Sequence, residues 1–489
     1  MNRYRVRMNS NQQNVTEVMK SIEAHFDDAV GRLQAILRIP SISTDPAHDA
    51  DVRAAAEWFE REFKSLGFEC EVVDTPGHPV VFAERKPPSE DAPTILYYGH
   101  YDVQPADPLD QWNSPPFEPA IIDDANGGRI VARGAVDDKG QVMTFIEAFR
   151  AWIDTTGGIP VGIKVMLEGE EESGSESLEG FLDDFADRLH ADVCVVSDTG
   201  MWNGETPAIT TMLRGMVYLE AEVRGPGHDL HSGMYGGAIA NPANVLARII
   251  ASMHEDDGTI TVPNFYDGVE DPPAQILDQW RALGFDEAAF LASAEISAAT
   301  GGEQGRTILE RTWSRPTIDV NGIQGGYTGA GAKTIIPAAC SAKISCRLVP
   351  GQDPAKIESS LKAFIEAGLP EGFAVNFISH GVNPAVVVPA DSPWLAAATA
   401  GLAEAYEAPA AVIGSGGSIP AVGDIQSKLG IDALLVGFGL DEDRVHSPNE
   451  KFDLRCLRGG IKSHAGMIGA FAARSVASAA SAGSTASQD

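Results

Sequence analysis

Cysteine is scarce in this chain. The five residues, Cys70, Cys194, Cys340, Cys346 and Cys456, are odd in number and lack any C-x-x-C spacing, which argues against a disulfide framework. Basic residues are also few: 36 Lys and Arg stand against 69 Asp and Glu, a net charge of −33 that repels phosphate backbones and makes nucleic acid a poor partner. Most of this acidity reads as solvated surface, so only clustered carboxylates carry further meaning. No apolar run is long enough to cross a bilayer, and no membrane partner is expected. Residues 1–14 are polar and lack the apolar centre of a secretory signal; they read as a disordered arm of a cytoplasmic protein, and the Ser- and Ala-rich residues 476–489 as a flexible tail.

With 489 residues the chain exceeds what one hydrophobic core organises, so two domains are expected. Val15, Val18, Met19, Ile22, Phe26, Val30, Leu33 and Leu37 recur at helical spacing up to Pro40, and a second helix is predicted from about Asp49 to Leu66. β-rich runs at 69–73, 80–84, 94–98, 161–167, 191–196 and 434–438 alternate with helical segments, the pattern of an α/β sheet. Between residues 213 and 390 the texture changes to strands at 216–223, 342–348 and 373–378 with helices at 242–254 and 354–367, an inserted α+β domain. The first domain is therefore discontinuous, covering 15–212 and 391–475. Several polar residues follow strand ends, where ligands bind in open α/β sheets.

Four short segments and one isolated acid concentrate the chemistry. His100 and Asp102 end an apolar strand, where an imidazole can bind a metal through one nitrogen while a carboxylate orients the other; a structural histidine is the ordinary alternative. Asp137 and Asp138 open a helix, as N-cap acids do, but a carboxylate such as Asp137 can also bridge two cations roughly 3.5–4 Å apart. Glu168, Glu170, Glu171 and Glu172 crowd four carboxylates directly behind a buried-type strand, a repulsion that solvent or cations must relieve. Asp198 closes a further strand and His446 lies in a polar loop before a helix. Two imidazoles with several hard oxygens suit Zn²⁺ or Mn²⁺.

The blocks GHYDVQP (99–105), GAVDDKGQ (134–141), EGEEESGSE (168–176), VSD (196–198), DLHSGMYGG (229–237) and HSPNEKF (446–452) resemble the carnosinase and cytosolic nonspecific dipeptidase group. That group lies within the aminoacylase and carboxypeptidase family of two-zinc metallopeptidases. The resemblance runs from about residue 15 to 475. It implies a phosphorylase/hydrolase-like α/β/α catalytic domain with an inserted α+β dimerisation, or lid, domain. It also implies hydrolysis of the amide bond of dipeptides by a water lying between two divalent metal ions, zinc first, with manganese or cobalt as alternatives.

By the same resemblance His100, Asp137 and Asp198 hold one ion, Asp137, Glu172 and His446 hold the other, and Glu171 is the general base, with Asp102 behind His100. The Asp137–Asp138 peptide is expected to be cis. His231 would reach the partner subunit of a homodimer and donate to the oxyanion. Thr334, Arg347, His380 and Ser418 would contact the small peptide substrate, with Arg347 the fork for its free carboxylate. The sequence departs from the group at Gly414-Ser415-Gly416-Gly417, where an acid usually precedes the glycine pair and would receive a substrate ammonium. That departure opens an alternative, deacylation of N-acyl or N-carbamoyl amino acids; a non-catalytic binding protein is the more distant one.

Overall fold

The structure is a computed structural model that describes residues 2–485. It divides into a unit formed by residues 1–211, 388–413 and 424–489, and a second formed by 212–387 and 414–423.

The first unit is an α/β sheet with helices packed on it. Strands run in the spatial order Glu69–Val73, Val80–Arg85, Gly162–Glu168, Thr94–His100, Val193–Val196, Ala433–Leu435 and Ala208–Leu213. The central four are mutually parallel, with Thr94–His100 between Gly162–Glu168 and Val193–Val196. Their residues are buried on both faces, as parallel strands covered by helices must be. Helix Lys139–Thr156 supplies Phe145, Phe149 and Trp152 to this core, where Tyr97 meets both phenylalanine rings. A small three-stranded sheet, Ala120–Ile122, Arg129–Val131 and Lys451–Asp453, ties the C-terminal part of the chain to the loop before Asp137.

The single helix expected over 15–39 is two, Asn2–Ala24 and Phe26–Leu37, separated at His25, whose φ of −117° leaves the helical range. Its apolar spacing continues through the break because both pieces bury the same stripe, Val15, Val18 and Ile22 in one and Phe26, Leu33 and Leu37 in the other. The arm expected over 1–14 is helical from Asn2, in a stretch without Gly or Pro to interrupt it; Met1 lies outside the described residues. The closing helix runs Leu454–Thr485, so the tail expected to be flexible is helical as far as 485, as its alanine content favours, and 486–489 lie outside the described residues.

The second unit is an antiparallel sheet in the order Thr317–Gly325, Ala339–Leu348, Gly215–Arg224, Ala374–Asn383. Along Gly215–Arg224 burial alternates with period two, and Val217, Leu219, Ala221 and Val223 face the helices Pro242–Ala251 and Pro354–Ala367. Both helices begin with an Asn or Asp cap followed by proline at the first helical position, a strong start signal. His380 sits at a register shift between Ser379 and Gly381, where an extra residue re-aims a side chain.

Candidate active site

The parallel strands of the first unit deliver their ends to one place. His100 is the last residue of its strand, Asp198 lies two residues beyond Val193–Val196, and Glu171 and Glu172 form a 3-10 turn just past Gly162–Glu168. His446 arrives on the loop before Lys451–Asp453, where Arg444, His446 and Asn449 all have positive φ, a costly conformation for residues with side chains that is tolerated where function demands it.

Asp137 is the centre. Its Oδ1 lies 3.1 Å from His100 Nε2 and its Oδ2 lies 2.9 Å from His446 Nε2, so each oxygen addresses a different imidazole. Ligand atoms of His100, Asp137 and Asp198 lie within 4.8 Å of one another, and so do those of Asp137, Glu172 and His446. These two triads share Asp137 alone. Behind His100, Nδ1 is 3.1 Å from the Asp102 carbonyl and 3.3 Å from its Oδ1, which keeps the ring's proton there and leaves Nε2 as a ligand atom. Asp102 is itself held through Oδ2 by Ser43 Oγ at 2.6 Å and the Glu172 N–H at 3.0 Å, so one buried acid orients two of the candidate ligands.

The run of four glutamates separates into different tasks. Glu168 accepts from Tyr98 Oη at 2.7 Å, and Glu170 accepts from the N–H groups of His78 and Ser177, leaving Glu171 and Glu172 for the site. Glu172 Oε2 takes a hydrogen bond from Gln104 and lies 3.2 Å from His446 Nε2. The Glu171 side chain makes no hydrogen bond among the described residues. Burial, and the charges of Glu172, Asp102 and Asp137 against that of His100, lift its carboxyl above the ordinary range. Asp138 caps nothing with its side chain; it accepts the His100 N–H at 3.1 Å, and the Asp137–Asp138 peptide is cis.

The electrostatics call for cations. Burial raises the Asp198 carboxyl well above its usual value, while the hydrogen bonds that the His446 ring donates to Asp137 and Glu172 push its imidazole up to about 10. Carboxylates so crowded draw in positive charge, and the donor set of two imidazole nitrogens and carboxylate oxygens without thiolates fits two divalent ions.

One organising residue escaped the sequence reading. Glu450 is fully buried and accepts four hydrogen bonds: Oε2 from Arg133 Nη1 at 2.7 Å and the Gly134 N–H at 3.0 Å, Oε1 from the N–H groups of Val136 at 3.0 Å and Asp137 at 3.1 Å. It thereby locks the backbone of Asp137 to a residue four positions from His446. Its place in the HSPNE segment was visible, but no local pattern marks a carboxylate whose partners lie more than 300 residues away. Glu450→Gln turns an amide N–H₂ towards donors, and is expected to weaken metal binding by roughly ten- to a hundredfold, read by chelator competition with circular dichroism checking the fold.

In the second unit, His231 and Thr334 meet on a short ladder: His231 pairs with Ile335 and the Ser232 N–H donates to the Thr334 carbonyl at 3.0 Å. The exposed His231 ring accepts the Gly233 N–H at Nδ1, 3.0 Å, which assigns its proton to Nε2. A Cβ on Gly233 would come within 2.9 Å of that ring and push it aside. Arg347 Nη1 donates to Ser418 Oγ at 3.0 Å. His380 stands beside Tyr218, 5.2 Å between ring centres, with Nε2 3.5 Å from Glu220. Ser415 Oγ accepts the Gly417 N–H at 3.1 Å, so the position where an acid is usual is spent on its own turn.

Residues 96–470 match the family described as Peptidase family M20/M25/M40. The chain is 33% identical to the Cys-Gly metallodipeptidase DUG1 of Candida albicans over 464 residues, 90% of this chain and 93% of that protein. It is 29% identical to the human Beta-Ala-His dipeptidase, covering 89% of each. Among solved structures, an M20 family metallo-carboxypeptidase of Sulfolobus solfataricus superposes with a TM-score of 0.79 at 30% identity, over 91% of this chain and 99% of that one.

Proposed function

Because this chain belongs to peptidase family M20/M25/M40, we infer that it is a metal-dependent dipeptidase, with His100, Asp137 and Asp198 at one ion and Asp137, Glu172 and His446 at the other. The observation that carries this reading is Asp137, whose two oxygens face two histidines, His100 at a strand end and His446 on a loop. When bound, the two ions polarise the scissile carbonyl and acidify the attacking water. The Glu171 carboxylate, free of protein hydrogen bonds among the described residues, takes the water's proton as the water oxygen joins the carbonyl carbon, and returns it to the amine nitrogen as the C–N bond breaks. Asp102 keeps His100 in the tautomer that presents Nε2. His231 Nε2–H donates to the carbonyl oxygen as negative charge develops there. Thr334, Arg347, His380 and Ser418 receive the rest of the substrate, with Arg347 at its carboxylate.

We assign a cytoplasmic setting and zinc as the resident metal, with manganese or cobalt accepted, the metal in keeping with the borderline donor set. The relatives named for Cys-Gly and Beta-Ala-His cleavage point to small dipeptides as substrates. Ser415 favours a second reading, hydrolysis of N-acyl amino acids, since no carboxylate stands in that turn to receive an ammonium. Parallel panels of free dipeptides and N-acyl amino acids separate the two. Cleavage of dipeptides, lost on chelation and restored by zinc, is expected; preference for acyl substrates reverses the assignment.

The active form is a homodimer in which His231 serves the partner's site. Glu171→Gln and His231→Ala chains, each expected to be nearly inactive, then complement when mixed. Random exchange restores about a quarter of wild-type activity, because half the dimers are mixed and each carries one intact site. Inactivity of the mixture at all ratios places His231 in its own subunit's chemistry.

A further inference from the structure

Two guanidinium groups in the second unit converge on one turn without a counter-ion. Arg214, half-buried between the strands Ala208–Leu213 and Gly215–Arg224, donates its N–H to the Gly417 carbonyl at 3.1 Å and its Nε to the Gly416 carbonyl at 3.1 Å. Arg347 reaches the same turn through Ser418 Oγ, and that hydroxyl donates to the Arg214 carbonyl at 2.5 Å. Neither arginine forms an ion pair among the described residues. Asp319, the acid whose charge Arg214 feels, is exposed and accepts from Thr317 Oγ1 at 3.2 Å instead. The Nη groups of Arg214 and the Nε and Nη2 of Arg347 donate to no protein atom among the described residues. Burial, then the like charge of Arg347, push the Arg214 guanidinium down to about 10. Like charges held together and partly desolvated are costly unless an anion joins them.

We propose that Arg214 and Arg347 form one anion clamp whose ligand is the free carboxylate of the substrate's C-terminal residue. This rests on the assignment of Arg347 to that carboxylate and adds Arg214 as a specificity-determining residue. A guanidinium offers a planar pair of donors matched to a carboxylate, and two forks around one turn can hold both oxygens while Gly416 and Ser418 fix their approach. The clamp makes a free C-terminus a condition of tight binding, so C-terminally amidated dipeptides are poor ligands whatever their side chains.

The test uses the full-length, zinc-loaded enzyme, with cysteinylglycine and cysteinylglycinamide compared on Arg214→Met, Arg214→Lys and Arg347→Met. Each Met variant is expected to raise KM for the acid by roughly ten- to a hundredfold, the loss of one charge-assisted hydrogen bond, with kcat and the KM for the amide little changed. Arg214→Lys recovers part of the loss. Binding of both compounds to the same variants in a Glu171→Gln background, read by calorimetry, yields the acid-to-amide ratio without turnover. If Arg214→Met weakens acid and amide equally while Arg347→Met is selective for the acid, Arg214 only braces the turn and the clamp is overturned, with the role of Arg347 intact. If neither variant changes the ratio, the carboxylate assignment of Arg347 falls and takes the clamp with it.

Discussion

Glu171→Gln is expected to lower kcat by roughly 10²–10⁴-fold, the range of a positioned general acid–base, while both metal ions stay bound. The amide is nearly isosteric with the carboxylate and removes only the ability to take up and return a proton. Glu171 touches no candidate ligand by hydrogen bond, so metal content measured by elemental analysis should match wild type, and KM should move little. Unchanged turnover would transfer the proton to another group; loss of metal together with activity would make Glu171 a ligand instead.

Asp137→Asn should do the opposite, acting on binding before chemistry. One anionic residue addresses both histidines, so neutralising it removes charge from both triads at once. Metal content is expected to fall from two ions per chain to fewer than one, and activity by more than about 10⁴-fold, beyond the contribution of a single proton carrier. The control is Asp198→Asn, which belongs to one triad and is expected to spare the other ion. Retention of two ions in Asp137→Asn at wild-type affinity would refute the shared role. A stability measurement accompanies both, because a buried acid relieved of repulsion can stabilise the fold while abolishing function.

The contrast between these two residues and Glu450 explains what a linear reading can reach. His100 and Asp198 follow apolar runs that announce their strands, and Glu171 and Glu172 sit in a conspicuous acidic run, so residue type and strand end together mark the crevice. The same run concealed a division of labour. Glu168 and Glu170 differ from their neighbours only through Tyr98, His78 and Ser177, which the fold brings from elsewhere. Family resemblance, not periodicity, selected His446 and the two triads. The helix break at His25 was hidden because both halves carry one continuous apolar stripe. The small sheet linking 120–131 to 451–453 was missed because three-residue strands are too short to establish a period, and pairing across the chain, not local preference, holds them. The extent of both terminal helices was underestimated for the converse reason: polar and alanine-rich stretches can continue a helix that packing has begun.

Glu450 and Arg133 bear on the life of the protein before any ion arrives. Every acceptor position that matters on this carboxylate is filled by the chain itself, from the guanidinium and from three backbone N–H groups, so the loop presenting Asp137 is anchored through covalently attached donors. In small zinc domains the ion is the scaffold and its withdrawal unfolds the chain. Here the scaffold is built from protein alone, and stripped protein should keep its shape and refill, as a socket outlasts the bulb.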